Sequence, residues 1–215
     1  MIRLDIFSDP VCPWCHIGKA LLDRALERRP GHPFTVEWHP FQLNPDMPPE
    51  GMDRRAYLEA RFGSRIKAAE AHVAVAEAAE AAGLQLDLGA ITRMPNTLDA
   101  HRLIHWAGLE GAQSRVVSAL FRAYFREGRD IGATETLGQI AAGAGMDQAV
   151  VTRLLASDAD RETVLAREAH ARERGVRAVP TFIIANAHVL PGAQPVALWE
   201  QVIDELVTQL GTDMR

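Results

Sequence analysis

The 215-residue chain has only two cysteines, Cys12 and Cys15, and Pro13 and Trp14 separate them. Redox dithiols, zinc and iron–sulfur sites, and c-type haem attachment sites all use this CxxC spacing. In redox chemistry, a thiolate at Cys12 attacks a disulfide, and the Cys15 thiol then attacks the mixed disulfide and releases the reduced product. The spacing therefore makes thiol–disulfide exchange the first chemistry to consider.

Three other uses of the cysteine pair fit the rest of the chain less well. A zinc or iron–sulfur site takes about four ligands, whereas the chain offers two thiols and the adjacent His16. Haem attachment belongs to exported chains, and a structural disulfide across so short a step constrains little. We expect no metal site and no bound cofactor, apart from a redox-active Cys12–Cys15 disulfide.

The cysteine pair stands at the junction of a predicted strand and a predicted helix. Alternating apolar residues predict a strand over residues 2–8, and a proline followed by apolar residues at helical spacing predicts a helix over 13–29. A second strand over 34–38 completes a β-α-β unit. Free N–H groups and the helix macrodipole favour a thiolate at a helix N-terminus. We therefore expect Cys12 to be the nucleophile and the more buried Cys15 to be the resolving thiol.

The middle of the chain is helical in character from about residue 53 to residue 174, and Gly63 divides its first stretch into two helices. Alanine holds 9 of the 15 positions from 68 to 82, which predicts a long helix packed closely on its neighbours. Further helices are predicted over 97–108, 113–127, 134–144, 147–156 and 159–174. Strand patterns return at 180–185 and 188–190, followed by an amphipathic helix over 195–210.

This order of elements predicts an α/β protein with a thioredoxin-like fold and a large all-helical insertion domain. The first part of the thioredoxin-like domain, β-α-β, is expected over residues 1–45. The helical insertion is expected over 46–174, and the second part, β-β-α, over 175–215.

A second candidate site element is the run Val179-Pro180-Thr181-Phe182 at the start of the late strand. In a thioredoxin-type fold the bond before such a proline is cis, and the exposed backbone of the preceding residue pairs with an extended chain or with glutathione. The alternative is a trans proline that opens an edge strand. Because a CxxC pair is present, we expect the cis form, with Pro180 facing Cys12.

Charge and hydropathy limit the classes of partner. Lys and Arg number 23 against 28 for Asp and Glu, so the chain lacks the basic excess that nucleic-acid binding requires. No segment is apolar enough to span a membrane. No leader pattern precedes the first predicted strand, which favours a cytoplasmic location. We expect a monomer or a homodimer.

Five motifs distributed over nearly the whole chain resemble the FrnE branch of the DsbA-like thioredoxin family. They are SDPVCPWCHIG at residues 8–18, PFQLNP at 40–45, NTLDAHR at 96–102, FRAYF at 121–125 and VPTF at 179–182. The resemblance implies a protein disulfide oxidoreductase or isomerase that acts on protein thiols and disulfides or uses glutathione as a redox partner.

The resemblance also suggests roles for residues around the cysteines. Asp5 lies at a position similar to the buried acid of DsbA-like proteins and is expected to accept a proton from Cys15; the alternative is a solvated acid at a strand end. Asn96 and His101 are expected to face the cleft from the helical domain, and Gln42 to line it, with helix capping by Asn96 and loop packing by Gln42 as alternatives. The expected catalytic residues are Cys12, Cys15 and Pro180. The expected substrate-binding residues are Pro13, Trp14, Gln42, Asn96, His101, Val179 and Thr181.

Two other functions stay open beside this prediction. The wider family includes kappa-class glutathione transferases and 2-hydroxychromene-2-carboxylate isomerases, which usually carry a serine at the nucleophile position. The presence of both Cys12 and Cys15 favours the oxidoreductase over a glutathione-dependent transferase or isomerase of a small aromatic substrate. A holdase-type chaperone that uses the cleft is the third hypothesis, and its activity would survive replacement of Cys12 by serine.

Overall fold

The computed structural model describes residues 1–213, which form a four-stranded sheet, a two-stranded sheet and nine helices. The strands are β1 (Ile2–Ser8), β2 (Phe34–Pro40), β3 (Met52–Asp53), β4 (Arg93–Met94), β5 (Thr181–Ile184) and β6 (His188–Pro191). The helices are α1 (Pro13–Arg28), α2 (Arg54–Phe62), α3 (Arg65–Ala81), α4 (Leu98–Leu109), α5 (Gln113–Phe125), α6 (Thr134–Gly143), α7 (Gln148–Leu155), α8 (Arg161–Glu173) and α9 (Val196–Asp213).

The main sheet has the strand order β2-β1-β5-β6. Strand β1 runs parallel to β2 and antiparallel to β5, and β5 pairs with β6 as an antiparallel hairpin. The predicted β-α-β opening and the β-β-α end are therefore confirmed. The sheet brings the cysteine loop, which follows β1, next to the segment that enters β5.

One face of the sheet is covered by α1 and α9. Leu4 and Ile6 of β1 and Phe182 of β5 are almost completely buried and belong to one core cluster with Leu22 of α1. Trp199 of α9 meets the Phe182 ring edge-on, with ring centroids 4.9 Å apart. Burial of each such side chain contributes about 2–3 kcal/mol, so this face anchors α1 below its N-terminus.

The opposite face is covered by α8. Phe7 and Ile183 point to this side because side chains alternate along a strand, and they cluster with Phe41 and with Ala171 of α8. Arg167 of α8 also donates to Glu37 of β2 at 2.8 Å. The two faces of β1 therefore pack against different helices, and only one of the two faces contacts α1.

Helices α2 to α8 lie between β2 and β5 in the chain. Gly63 ends α2 with a φ of 77°, which favours glycine, and Ser64 caps α3 by accepting the N–H of Lys67. The predicted division at Gly63 is thus confirmed. The two-residue strands β3 and β4 were not predicted, since they are too short to show a periodic pattern.

The alanine-rich helix forms, but the prediction that it packs closely on its neighbours is wrong. Only Ala68, Val75 and Ala79 of α3 are buried. Its remaining surface is partly or fully exposed, because alanine favours helix formation whether or not the side chain is buried. Helix formation and close packing are separate properties of such a run.

A buried arginine holds the start of α4 to the turn between α7 and α8. The Arg102 guanidinium is 1% exposed, pairs with Asp99 at 2.8 Å and donates to the carbonyl oxygens of Leu154, Ser157 and Ala159. These partners satisfy a charge that would otherwise be costly to bury. They fix the helix that carries His101.

The architecture is the predicted one, a thioredoxin-like fold with a large helical insertion. We propose that the boundaries between the thioredoxin-like domain and the helical insertion lie after residues 45 and 174. The third predicted segment is 175–215, and its residues 214–215 lie outside the described part of the chain. None of the helices within residues 1–213 combines the length and apolar character needed to cross a bilayer.

Candidate active site

Cys12 caps the N-terminus of α1. Its carbonyl accepts hydrogen bonds from the backbone N–H groups of Cys15 at 3.1 Å and His16 at 3.3 Å, and its own N–H donates to the carbonyl of Asp9 at 2.9 Å. Pro13 occupies the first helical position, where a missing N–H costs nothing. Both cysteines are free thiols, with Cys12 4% and Cys15 1% exposed. The predicted helix-terminal placement of Cys12 is confirmed.

The segment before β5 lies directly against Cys12. The Val179–Pro180 peptide bond is cis, as predicted. The Cys12 thiol donates to the carbonyl oxygen of Val179, with the sulfur and the oxygen 3.6 Å apart. The first sulfur and the loop that would hold a substrate backbone are therefore neighbours.

Gly18 allows α1 to approach this loop. A Cβ at Gly18 would lie 3.1 Å from Cγ of Pro180 and 3.4 Å from both Cζ of Phe182 and Cα of Ala193. The first of these distances is shorter than an ordinary van der Waals contact. The sequence motif contained Gly18 but gave it no role, and the structure identifies it as the point of closest approach.

Cys15 lies beneath Cys12, and its surroundings disfavour the thiolate. Burial raises the pKa of the Cys15 thiol well above its usual value, and the hydrogen bond with Cys12 and the charge of Cys12 raise it further. Hydrogen bonds from the Ser8 side chain and the Asp9 backbone act in the opposite direction and lower that pKa. Ser8 is thus a site residue that the sequence interpretation missed.

Asp9 is a second missed residue. It is completely buried, and its carboxylate accepts the backbone N–H of Leu43 at 2.7 Å and of Val11 at 3.5 Å. His101 Nε2, which has no hydrogen-bond partner among the described residues, lies 3.7 Å from the same carboxylate. An acid directly before Pro10, at a buried strand-to-helix junction, was the sequence signal that could have identified Asp9.

The carboxylate of Asp5 lies apart from the sulfurs. It accepts hydrogen bonds from His39 Nε2 at 2.7 Å and from Arg3 Nε at 3.0 Å. Burial lowers the pKa of His39 below its usual value, although the Asp5 hydrogen bond raises it. Because Leu4 and Ile6 face α1, the alternation along β1 turns Asp5 towards the other face. The proton relay predicted for Asp5 therefore stays a prediction.

The Asp5 side of the sheet also carries a group of possible metal ligands. Asp5, Glu37 and His39 can bring one ligand atom each to within 4.8 Å of one another. Arg167 donates to Glu37 at 2.8 Å and lies 3.1 Å from His39 Nδ1. Its fixed positive charge opposes a cation at this place.

A cavity of about 430 Å³ opens beside Cys12. Its wall contains Cys12, Pro13, Trp14 and Val179, four of the predicted site residues. Trp14 is 41% exposed, and its ring therefore remains accessible to a substrate. The rest of the wall comes mainly from α2, α3 and α5 and consists of Val11, Leu43, Asn44, Arg54, Tyr57, Leu58, Arg61, Phe62, Ala71, His72, Val75, Leu88, Met94, Tyr124, Phe125, Arg177 and Ala178.

Four predicted substrate-binding residues are not in this wall. Asn96 donates to the carbonyl of Met47 at 2.6 Å and accepts the N–H of Leu98 at 2.9 Å, which is the capping alternative. Gln42 is 2% exposed, and its backbone N–H donates to Glu168 at 3.0 Å. His101 lies against Asp9, as described above.

Thr181, the fourth of these residues, is buried next to Pro180. Its hydroxyl donates to the carbonyl of Ala178 at 2.7 Å. It supports the backbone that precedes β5 and does not line the cavity.

His16 follows the second cysteine and is held between aromatic rings. It stacks on Phe121 and Phe125, with ring centroids 4.9 Å and 5.5 Å away. Burial, with a smaller contribution from the charge of Lys19, lowers the pKa of His16 to about 4. The imidazole is therefore neutral at pH 7 and does not supply a positive charge to the thiols.

These contacts describe a dithiol with one sulfur at a helix N-terminus, a second sulfur beneath it and a cavity at the first. A family model described as DSBA-like thioredoxin domain matches residues 3–204. The structure of a probable DsbA oxidoreductase from Streptomyces coelicolor is 31% identical, with a TM-score of 0.83 over 95% of this chain and 89% of that chain.

Two more distant structures share the fold. The structure of a 2-hydroxychromene-2-carboxylate isomerase has a TM-score of 0.74 at 18% identity, over 99% of this chain and 99% of that chain. The cytosolic disulfide reductase DsbM from Pseudomonas aeruginosa, solved with GSH, has a TM-score of 0.66 at 19% identity over 97% of this chain and 98% of that chain.

Proposed function

Because the chain belongs to the DSBA-like thioredoxin domain family, we propose that it is a thiol–disulfide oxidoreductase with Cys12 as nucleophile and Cys15 as resolving thiol. The observation that carries the proposal is the position of Cys12 at the N-terminus of α1, against the Val179 carbonyl, with Cys15 beneath it. No metal or organic cofactor enters this chemistry, since the redox group is the cysteine pair itself.

The exchange proceeds in two balanced steps. In the reducing direction, the Cys12 thiolate attacks one sulfur of a substrate disulfide, a Cys12–substrate bond forms, and the other substrate sulfur leaves as a thiolate. Cys15 then loses its proton and attacks Cys12, so that the Cys12–Cys15 disulfide forms and the second substrate thiolate leaves. The substrate gains two electrons and the protein loses two; disulfide formation in a substrate follows the reverse path.

The substrates of this exchange are protein thiols and disulfides or glutathione. The Val179 carbonyl and the partly exposed Trp14 support substrate binding beside Cys12, with Pro13 and Val179 forming the adjacent surface and the buried Pro180 behind it. We also propose that the protein belongs to the FrnE branch, that it has isomerase activity and that it acts in the cytoplasm.

A glutathione redox titration with thiol trapping tests the proposal. After equilibration in glutathione buffers, free thiols are alkylated, and the mass of the protein reports whether Cys12 and Cys15 are free or joined. We expect one reversible two-electron transition between about −120 and −270 mV. The same titration of a Cys12→Ser variant should give no intramolecular disulfide, and absence of the transition in the unmodified protein would overturn the proposal.

The second candidate is a glutathione-dependent transferase or isomerase of a small aromatic compound. The observation that favours it is the cavity beside Cys12, whose wall contains Phe125, Val75 and Leu58. This function needs bound glutathione but no Cys12–Cys15 disulfide. Glutathione binding measured by calorimetry, together with a dithiol that stays reduced in the titration, would favour it over thiol–disulfide exchange.

A further inference from the structure

The cavity beside Cys12 is lined by positive charge as well as apolar side chains. Arg54 and Arg61 of α2 and Arg177, just before β5, all contribute to its wall. Among the described residues that line the cavity there is no Asp or Glu. A substrate in this cavity therefore meets cationic groups on two sides and no anionic one.

None of the three guanidinium groups pairs with a carboxylate of residues 1–211. Arg54 donates to the carbonyl of Leu88 at 2.9 Å and lies 3.2 Å from His72 Nε2. Burial, followed by the charge of Arg54, lowers the pKa of His72, so this partner is neutral near pH 7. The Arg54 charge is thus hydrogen-bonded but not compensated.

The other two cavity arginines are exposed and equally uncompensated. Within the described part of the chain, Arg177 donates to the carbonyl of Arg172 and forms no ion pair. Arg61 has no hydrogen bond or ion pair within the described residues. Elsewhere in the protein, Arg29 lies 2.8 Å from Asp204 and Arg167 lies 2.8 Å from Glu37.

A guanidinium group binds a carboxylate through charge-assisted and often bidentate hydrogen bonds, which are about twice as strong as neutral ones. A cavity lined by one sign of charge also raises the local concentration of oppositely charged ligands. A volume of about 430 Å³ fits a small molecule better than a folded segment. These three properties point to one class of substrate.

We propose that Arg54, Arg61 and Arg177 select small thiol or disulfide compounds whose non-reacting part carries carboxylate groups. The carboxylates bind the guanidinium groups while the apolar wall covers the carbon chain. The sulfur is thereby held at Cys12. This substrate preference rests on the proposed thiol–disulfide exchange at Cys12.

A charge series of three small disulfides of similar length tests the preference. The probes are dithiodipropionate, which is anionic, hydroxyethyl disulfide, which is neutral, and cystamine, which is cationic. In a Cys15→Ala variant, Cys12 attacks the probe, a mixed disulfide forms, and half of the probe leaves as a thiol. The rate is followed by mass spectrometry and divided by the rate of free mercaptoethanol with the same probe.

We expect the normalised rate to be at least about tenfold higher for dithiodipropionate than for cystamine, with hydroxyethyl disulfide between them. Added salt should reduce the ratio by screening. Arg61→Gln and Arg177→Gln should each lower it several-fold, whereas Arg61→Lys, which keeps the charge, should preserve most of it. Both residues are exposed, so folding is expected to survive these changes.

Arg55→Gln is the matched control, because Arg55 lies on the same helix, pairs with Glu59 and does not line the cavity. Its ratio should equal that of the parent variant. Equal normalised rates for the three probes, or Arg61 and Arg177 variants that behave like the Arg55 control, would overturn the charge preference alone. Failure of Cys12 to react with any probe would overturn the proposed function as well.

Discussion

The Cys12 sulfur lies 3.6 Å from the carbonyl oxygen of Val179, although the two residues are 167 positions apart in the chain. The antiparallel pairing of β1 with β5 explains this proximity. Phe7 lies opposite Thr181, so the loop that follows β1 and the segment that precedes β5 lie at the same end of the sheet. A substrate backbone that pairs with Val179 would therefore place its sulfur beside Cys12. The helical insertion supplies the other wall of the cavity.

The two cysteines should differ sharply in reactivity. We expect iodoacetamide to modify Cys12 much faster than Cys15. The assay is run at about pH 7.5, within about one unit of a free thiol's pKa. The physical reason is that the pKa of Cys15 is raised well above the usual value, and that Cys12 lines the cavity whereas Cys15 does not. Peptide mapping after timed alkylation measures the ratio, for which we expect at least about tenfold.

Replacement of Cys15 provides a second test of these roles. A Cys15→Ser variant should accumulate a stable mixed disulfide at Cys12 when a disulfide substrate is added, because the resolving thiol is missing. Cys12→Ser should form no mixed disulfide at Cys15. Preferential modification of Cys15, or a mixed disulfide located there, would contradict the assigned order of attack.

Gly18 should not tolerate a methyl group. Alanine favours a helix by about 1 kcal/mol over glycine, but the Gly18→Ala methyl would lie 3.1 Å from the rigid Pro180 ring. Overpacking of this kind costs about 1–3 kcal/mol, so we expect a net loss of stability of roughly 1 kcal/mol and slower exchange at Cys12. Urea unfolding and the mixed-disulfide rate measure the two effects.

Gly143→Ala is the matched control for Gly18→Ala. Gly143 is also helical, and a Cβ there would meet no atom within 4 Å. We expect this change to be neutral or to stabilise the protein by up to about 1 kcal/mol. Equal stabilisation by the two substitutions would show that the approach of α1 to Pro180 leaves room for a methyl group.

The parts of the fold with strong local patterns were predictable from the sequence. Alternation in β1 and the proline before α1 defined the strand-to-helix junction, and the position of Pro180 at the start of β5 led to the correct cis assignment. The cavity arginines were not predictable in this way. Tyr57, Leu58 and Phe62 of α2 do recur at helical spacing and line the cavity, but this local pattern does not show that Arg177, far along the chain, lies at the same cavity as Arg54 and Arg61.

Strand alternation explains the placement of Asp5 but not that of Asp9, because Asp9 follows the last residue of β1. A shift of one residue along β1 moves a side chain to the other face of the sheet. Asp5 therefore points to His39, whereas Ser8 and Asp9, at the end of the strand, reach the Cys15 side. The position of a buried acid relative to the cysteines depends on this geometry and not on its distance in sequence.

Ser8→Ala should slow the resolving step. The Ser8 side chain forms a hydrogen bond with Cys15 that lowers the pKa of this thiol. Loss of about 1 kcal/mol of thiolate stabilisation raises the pKa by up to about one unit, so attack by Cys15 at pH 7 slows by up to about tenfold. Stopped-flow measurement of mixed-disulfide decay should show the profile displaced to higher pH; the range, from about pH 6 to about pH 11, extends beyond a free thiol's pKa of about 8.5 because the pKa of Cys15 is raised well above it.

Asp5→Asn is the comparison for Ser8→Ala. Because Asp5 binds His39 and Arg3, we expect a loss of stability of about 1–3 kcal/mol without a displaced pH profile. A profile displaced by Asp5→Asn would instead support the proton relay. A Ser8→Ala profile that coincides with that of the parent protein would exclude the proposed effect of Ser8 on Cys15.

His16 should make the stability of the protein depend on pH. Its pKa is lowered by burial to about 4, whereas in the unfolded chain it returns to about 6.5. The unfolded state therefore binds more protons between these values, and the free energy of unfolding falls as the pH is lowered through this window. Protonation of His16 therefore lowers the free energy of unfolding by roughly 3 kcal/mol once the pH is below the folded pKa of about 4. Above the unfolded pKa this destabilisation is absent.

His16→Phe removes this titration and keeps a ring that can stack on Phe121. We expect the variant to be at least as stable as the parent above about pH 7, since His16 Nδ1 has no hydrogen-bond partner, and to gain relative stability as the pH is lowered. Urea unfolding between about pH 4 and about pH 6.5 measures the difference in unfolding free energy between the variant and the parent. The effects of the other titrating groups are common to both proteins and cancel in this difference. Parallel stability curves for His16→Phe and the parent would show that protonation of His16 does not oppose folding.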